Sequence, residues 1–197
     1  MTDPIKITTS VILAGGRGNR MEGKDKGLLQ WRGKPIIAHI LECVVPQTTH
    51  VLINANRNLE TYRRFAYPVI SDILPGFQGP LVGILSAMHE CKNDYLLCIP
   101  CDTPHPPDDL CLRLHSAIQN HSAQAAIVHD GTRLQPLFAM MSRDLYQPLN
   151  NYLTHSNKVR DFFQQQKTVI VDFSDQYNKF QNINTPEDLE RLSRQDQ

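Results

Sequence analysis

Two stretches of this chain carry residues whose types and spacing suit the handling of phosphate groups. The first runs from Val11 to Gly27, V-I-L-A-G-G-R-G-N-R-M-E-G-K-D-K-G, where an apolar segment passes straight into a glycine-rich, basic loop. Gly15, Gly16 and Gly18 lack the Cβ atoms that hold a ligand away and are free to adopt φ > 0, so successive backbone N–H groups can converge on anionic oxygens. Arg17, Arg20, Lys24 and Lys26 bring positive charge to the same loop. The second stretch is Cys101-Asp102-Thr103-Pro104, which closes the apolar run Tyr95 to Pro100. A carboxylate facing a polyphosphate suits Mg²⁺, which favours one or two carboxylates plus phosphate oxygens and water over an all-protein cage.

Neither stretch is specific alone. The glycine spacing excludes two better-known phosphate loops. No Gly-Lys-Ser/Thr follows the glycines, and Gly16-Arg17-Gly18 leads into Asn19-Arg20-Met21 rather than the last glycine of a dinucleotide fingerprint. A tight strand-to-helix turn would use the same glycines, and Asp102 could instead form an Asx turn or N-cap before Thr103-Pro104. Their combination favours a ligand. In open α/β sheets ligands lie beyond the carboxyl ends of the strands, and two parallel strands ending in a glycine loop and in an Asp point at one crevice.

The elements that would hold such a crevice follow from periodicity and turn chemistry. Ile7 to Leu13 reads as a first strand, and Pro35 fits the first position of a helix from Ile36 to Val45, whose apolar residues at 36, 37, 40, 41, 44 and 45 form one stripe. Val51 to Ile53 reads as a second strand leading to Asn54-Ala55-Asn56. Asn58 is placed to cap a short helix to about Phe65, and Val69-Ile70 begin a third strand ending at Asp72. A loop containing Pro75-Gly76 and Gly79-Pro80 precedes a helix from Leu81 to Glu90. The buried strand Tyr95 to Pro100 follows, then a helix from Asp109 to Asn120 capped by Asp108. Farther on, Ala125 to Val128, an Asp130-Gly131 turn and Leu134 to Met141 read as strands joined by a tight loop. Amphipathic segments at Asp144 to Leu153 and Val159 to Gln166, a strand Thr168 to Phe173 and a last helix with Thr185 as N-cap and Pro186 at its first position complete an α/β alternation.

Composition narrows the classes. With 197 residues, 41% of them hydrophobic, the chain can bury one core of ordinary size and shows no linker to divide it. Its formal charge of zero provides no broad field toward nucleic acid or an anionic membrane, so phosphate recognition must be local. No basic-then-apolar leader and no run of membrane-spanning length occurs, and a cytoplasmic location is expected. Five cysteines without dense spacing fit a reducing compartment. Cys98 and Cys101 have C-x-x-C spacing, but a redox pair places its first Cys at a helix N-terminus, whereas Cys98 lies inside an apolar strand. Zinc would need a second ligand pair, which Cys91 and Cys111 do not make. The eight histidines are scattered.

From end to end the chain resembles the molybdenum cofactor guanylyltransferases, within the nucleotide-diphospho-sugar transferase superfamily. The matching segments are L-A-G-G-x-x-x-R-M at Leu13 to Met21, D-K-G at Asp25 to Gly27, N-A-N-R at Asn54 to Arg57, S-D ending at Asp72 and G-P-L-x-G at Gly79 to Gly83. They continue with P-C-D-T-P at Pro100 to Pro104, H-D-G at His129 to Gly131, V-D-F-S-D at Val171 to Asp175 and N-x-N-T-P-E-D-L at Asn182 to Leu189. The glycine loop and D-K-G are common to many nucleotidyltransferases; P-C-D-T-P, N-A-N-R and the last motif narrow the likeness to the molybdenum cofactor branch. Glu22 stands where the family commonly has Gly, and Gln135-Pro136 falls where some members have His-Pro.

The resemblance implies a three-layer, Rossmann-like nucleotidyltransferase fold with a mostly parallel, mixed central sheet. It implies one domain over residues 1–197, the N-terminal half binding GTP and the C-terminal half mainly molybdopterin. The implied reaction moves GMP from GTP to molybdenum-molybdopterin with release of pyrophosphate. The attacking terminal phosphate is largely ionised at neutral pH, its second pKa lying near ~6, so no general base is required. On the same grounds Leu13, Ala14, Gly15 and Gly16 would form the GTP loop, Lys26 and Arg20 would contact phosphates, and Asp102 would hold Mg²⁺. Asn54 and Asp72 would bind the nucleoside, with Asp72 suited to the adjacent N–H donors of guanine. Asn182 and Asn184 would lie on the molybdopterin side, although loop and helix-cap bonding also uses such residues. A monomer is implied, with transient contacts to other molybdenum cofactor biosynthesis proteins or molybdoenzyme chaperones. A cytidylyltransferase or sugar-phosphate nucleotidyltransferase would share the glycine loop and Lys26, and a non-catalytic nucleotide-binding module remains a third class.

Overall fold

Strands and helices alternate in the computed structural model, which describes residues 3–16, 25–76, 79–183 and 185–195. The strands are β1 (Thr8–Leu13), β2 (Gln30–Trp31), β3 (Lys34–Pro35), β4 (His50–Asn54), β5 (Val69–Ile70), β6 (Tyr95–Pro100), β7 (Ala125–His129), β8 (Leu134–Ser142) and β9 (Thr168–Asp172). The helices are α1 (Ile36–Val44), α2 (Leu59–Arg63), α3 (Pro80–Glu90), α4 (Leu110–His121), α5 (Tyr146–Tyr152), α6 (Val159–Gln164) and α7 (Pro186–Gln195). Seven strands form one sheet in the order β5-β4-β1-β6-β8-β7-β9, while β2 and β3 make a separate ribbon. Within the large sheet β8 alone runs antiparallel to its neighbours β6 and β7, and the remaining pairings are parallel.

The central strands read as continuous apolar runs because both of their faces are covered. Ile12, Ile53, Leu97 and Ile99 point to a layer containing α1 and α4, with Ile36, Ile37, Ile40, Leu114 and Ile118 packed upon them. Val11, Leu13, Leu96 and Cys98 face the other layer, where α3, α5 and α6 contribute Leu81, Leu85, Leu149, Phe162 and Phe163. Odd and even positions of one strand thus feed two cores, as the two-residue side-chain period requires. The result is the expected three-layer arrangement with a mostly parallel, mixed sheet. Among the described residues no helix is long and apolar enough to cross a membrane.

Register aligns the functional ends of the strands. Ile70 pairs with Asn54, Asn54 with Leu13, and Leu13 with Pro100, so four parallel strands finish in one row. On the other side of β6, the reversal of β8 returns the turn between β7 and β8 to that same edge. The register of that hairpin jumps from Ile127–Ala139 to Val128–Gln135, across Pro136, which has no N–H to give to a ladder.

Several local expectations are corrected. Pro35 occupies the N-cap position of α1, ending the β3 ribbon, rather than its first helical position. Asn58 precedes α2 in a left-handed conformation without capping it through its side chain, and α4 starts at Leu110 with Asp109 at its N-cap. By contrast Thr185 forms the expected cap. Its hydroxyl accepts from the Asp188 N–H at 3.2 Å, and the Asp188 carboxylate accepts from the Thr185 N–H at 3.1 Å, a reciprocal capping box.

Candidate active site

The row of strand ends places Ala14-Gly15, Ala55-Asn56, Ser71-Asp72 and Cys101-Asp102 side by side. The Ala14 N–H donates to the Asn54 carbonyl at 2.8 Å, and the Cys101 N–H to the Leu13 carbonyl at 3.2 Å, which carries the ladder one residue past β1 on each side. Gly15 and Gly16 do not use the freedom of positive φ; among the described glycines that region is used by Gly33, Gly76, Gly79 and Gly131. Gly15 is required by close approach instead. A Cβ there would stand 2.9 Å from the Asn56 amide nitrogen and 3.1 Å from Asn54 Oδ1, whereas one at Gly16 would meet nothing within 4 Å.

Asn54 and Asp72 are brought together as expected. Asn54 Nδ2 donates to one Asp72 carboxylate oxygen at 2.9 Å, and Asn56 Nδ2 donates to the other at 2.7 Å. Asn56 also accepts the Asp72 backbone N–H at 2.9 Å, so it grips Asp72 at two points. The other side of Asn54 rests on α3, where a Cβ on Gly83 would lie 2.3 Å from its Oδ1. The Ser86 hydroxyl of the same helix accepts the Ile73 N–H at 2.9 Å and ties down the chain after Asp72. Asn56 and Gly83 sit inside quoted motifs, but nothing in their spacing announces that they serve Asp72 and Asn54.

Lys26 and Asp102 meet at the strand-end edge of the sheet. The Lys26 ammonium donates to Asp102 Oδ2 at 3.1 Å, with side chains 22% and 19% exposed, open enough to receive an anion and shielded enough to strengthen the charge. A hard carboxylate oxygen at this edge is of the kind Mg²⁺ takes, a cation that can complete its shell from phosphates and water. Beside Lys26 lies a feature the sequence reading missed. Asp25, 6% exposed, accepts from the Tyr62 hydroxyl at 2.5 Å.

The C-terminal segment reaches the same edge. The Ile183 N–H donates to the Asp102 carbonyl at 2.7 Å, and Asn182 Oδ1 accepts from the Thr103 hydroxyl at 3.1 Å. Next to this junction is a cavity of about 570 Å³, lined by Arg133, Tyr177, Gln181, Asn182 and Arg191 among others. Among the described residues the buried Gln181 Oε1 there has no hydrogen-bond partner. Asp130 shapes the cavity rim, accepting from the Thr132 and Arg133 N–H groups at 2.8 Å each and from Gln135 Nε2 at 2.7 Å. Burial alone would raise the Asp130 pKa, but these donors bring it down to about 2.

Arg17, Gly18, Arg20, Glu22, Lys24 and Asn184 lie outside the described residues. The C-x-x-C cysteines are not joined, and burial pushes both thiols above their ordinary pKa, against thiolate chemistry at neutral pH.

A mostly parallel sheet whose adjacent strand ends offer a glycine turn and a lysine–carboxylate pair is the framework of a nucleotidyltransferase. Comparison with known proteins agrees: residues 10–169 match the MobA-like NTP transferase domain. The chain is 46% identical over 182 residues to the molybdenum cofactor guanylyltransferase of Mannheimia succiniciproducens, covering 92% of this chain and 96% of the relative. It is 43% identical over 185 residues to the one of Shewanella loihica, covering 93% and 94%. A crystal structure of molybdopterin-guanine dinucleotide biosynthesis protein A from Archaeoglobus fulgidus superposes with a TM-score of 0.78 at 22% identity, over 95% of this chain and 97% of that one. The chain belongs to the molybdenum cofactor guanylyltransferase family.

Proposed function

We propose that the protein transfers GMP from GTP to molybdenum-molybdopterin. An oxygen of the acceptor's terminal phosphate attacks the α-phosphorus, the bond to the bridging α,β-oxygen breaks, and pyrophosphate leaves. The observation that carries this reading is the Lys26–Asp102 pair at 3.1 Å, set between the Asn54–Asp72 cluster on one side and the cavity beside Asn182 on the other. Donor and acceptor would then enter from opposite flanks of one crevice, the N-terminal half of a single domain serving GTP and the C-terminal half molybdopterin. Two anions must be brought into line there, so positioning and charge neutralisation supply most of the catalysis.

In this reading the backbone of Leu13, Ala14, Gly15 and Gly16 lines the triphosphate, with Lys26 as a point charge on it and Arg20 as a further contact. Asp102 would hold Mg²⁺, which when bound supplies charge neutralisation at the phosphates. Asp72, both oxygens already oriented by asparagine amides, keeps lone pairs for the adjacent N1–H and N2–H₂ donors of guanine. Asn182 and Asn184 would serve the acceptor. The free cysteines suit a reducing cytoplasm, where a monomer would exchange product through transient contacts with other cofactor biosynthesis proteins or molybdoenzyme chaperones.

A nucleotide panel with molybdenum-loaded molybdopterin as acceptor and pyrophosphate release as readout tests the proposal. GTP should lead CTP and ATP, since each acceptor left unpaired by the wrong base costs about 1–3 kcal/mol, roughly tenfold or more in rate. A preference for CTP would transfer the chain to cytidylyl transfer, and no product with any nucleotide would reject the acceptor.

A further inference from the structure

Asp25 keeps its side chain only 4% exposed, one residue before Lys26. A buried carboxylate is unfavourable unless it is hydrogen-bonded, and here the bonds come from a single short segment. The Tyr62 hydroxyl donates to Oδ1 at 2.5 Å, the Asn58 amide to Oδ2 at 3.3 Å, and the Arg57 Nε stands 3.9 Å away. Asn58 takes a left-handed backbone, φ 52°, and gives α2 no side-chain cap; its amide serves Asp25 instead. Burial above all pushes the Tyr62 phenol well above its ordinary pKa, so it stays protonated as a donor. On the far side of Lys26, Gly27 lies against the same tyrosine, where a Cβ would stand 2.7 Å from the phenol oxygen. One tyrosine thus bonds to the residue before the lysine and lies close against the residue after it.

We infer that Tyr62 and Asp25 are positioning residues that fix the backbone root of Lys26, so that its ammonium meets the triphosphate without first being ordered. The inference rests on Lys26 facing the phosphates. A lysine stem has several rotatable bonds, and anchoring its root on the short 3-10 turn Lys26–Leu28 limits the search to the stem itself. Neither Tyr62 nor Asp25 touches substrate; each acts through Lys26, a different element having been recruited for the purpose.

A double-mutant cycle on pyrophosphate release separates this role from general stabilisation. Tyr62→Phe removes one oxygen and should lower kcat about tenfold, the scale of a modest misplacement of a reacting group, while KM for GTP changes less than about twofold. In a Lys26→Ala background the same change should alter the residual kcat by less than about twofold. Gly27→Ala, which presses on the phenol from the other side, should repeat the pattern if Tyr62→Phe folds poorly. Asp25→Asn, which keeps one acceptor for Tyr62, should retain more activity than Asp25→Ala. Equal slowing in both backgrounds, or wild-type kcat in Tyr62→Phe, would overturn the inference. Wild-type kcat in Lys26→Ala alone would instead remove Lys26 from the phosphates, and the premise with it.

Discussion

At the scale of single residues, the proposed chemistry concentrates on Asp102. Asp102→Asn keeps the shape of the side chain and the carbonyl that receives Ile183, and removes only the charge. Loss of a metal's anchoring carboxylate removes several kcal/mol of transition-state stabilisation, so kcat should fall at least about 100-fold. The Lys26 contact is partly exposed, and such pairs contribute about 0–1 kcal/mol, so the melting temperature should hardly move. Pyrophosphate release and calorimetry on one preparation would show both; near wild-type turnover would take Asp102 out of the mechanism. Asp130 has the opposite profile, structural and pH-dependent. Its pKa is about 2 against 3.8 when unperturbed, so it contributes stability above pH 4 that disappears as pH falls through 2. Asp130→Asn should be about 2 kcal/mol less stable than wild type in urea at pH 7, with the gap shrinking to roughly 0.4 kcal/mol at pH 2. A gap that stays constant across that range would mean that shape alone holds the turn. Asp102 was legible in the sequence because it ends an apolar run. Asp25 was not, because its meaning lies in Tyr62, 37 positions away, and no local pattern carries that distance.

At the scale of elements, α3 backs the Asn54–Asp72 cluster. Alanine at Gly83 would improve helix propensity by about 1 kcal/mol, yet its Cβ would meet Asn54 Oδ1 at 2.3 Å. Asn54 must then swing away and release Asp72. Gly83→Ala should therefore raise KM for GTP about tenfold, one lost hydrogen bond's worth, with little change in stability because the two effects offset. An unchanged KM in steady-state kinetics would show that Asn54 does not hold the nucleoside. Helices and buried strands of ordinary length were readable from periodicity, and Tyr95–Pro100 falls where its apolar run predicts. The β2–β3 ribbon was invisible, since Gln30-Trp31 and Lys34-Pro35 lack the paired β-branched residues that mark Val69-Ile70. Asn58 and Asp108 misled as caps because a capping residue type shows only that a side chain can bond locally. Asn58 bonds to Asp25 instead.

At the scale of the whole molecule, both cores rest on one sheet, one on each face. Strands β1, β4 and β5 on one side and β7 and β9 on the other are joined through β6 and β8 without a break. Unfolding should accordingly be a single cooperative transition, with far-ultraviolet and near-ultraviolet circular dichroism giving the same urea midpoint. Separate midpoints would reveal two halves that fold independently. Zero net charge agrees with a molecule that recognises its anions by a few convergent groups rather than by its surface field. The bond from the Ile183 N–H to the Asp102 carbonyl gives this architecture an order in time. Chains emerge from the ribosome N-terminus first, and β1, β4, β5 and β6 are all synthesised by residue 100. The loop bearing Asp102 waits for a partner encoded some eighty residues later. A nascent chain can thus assemble these four strands early, while the crevice is finished only once Ile183 has been made.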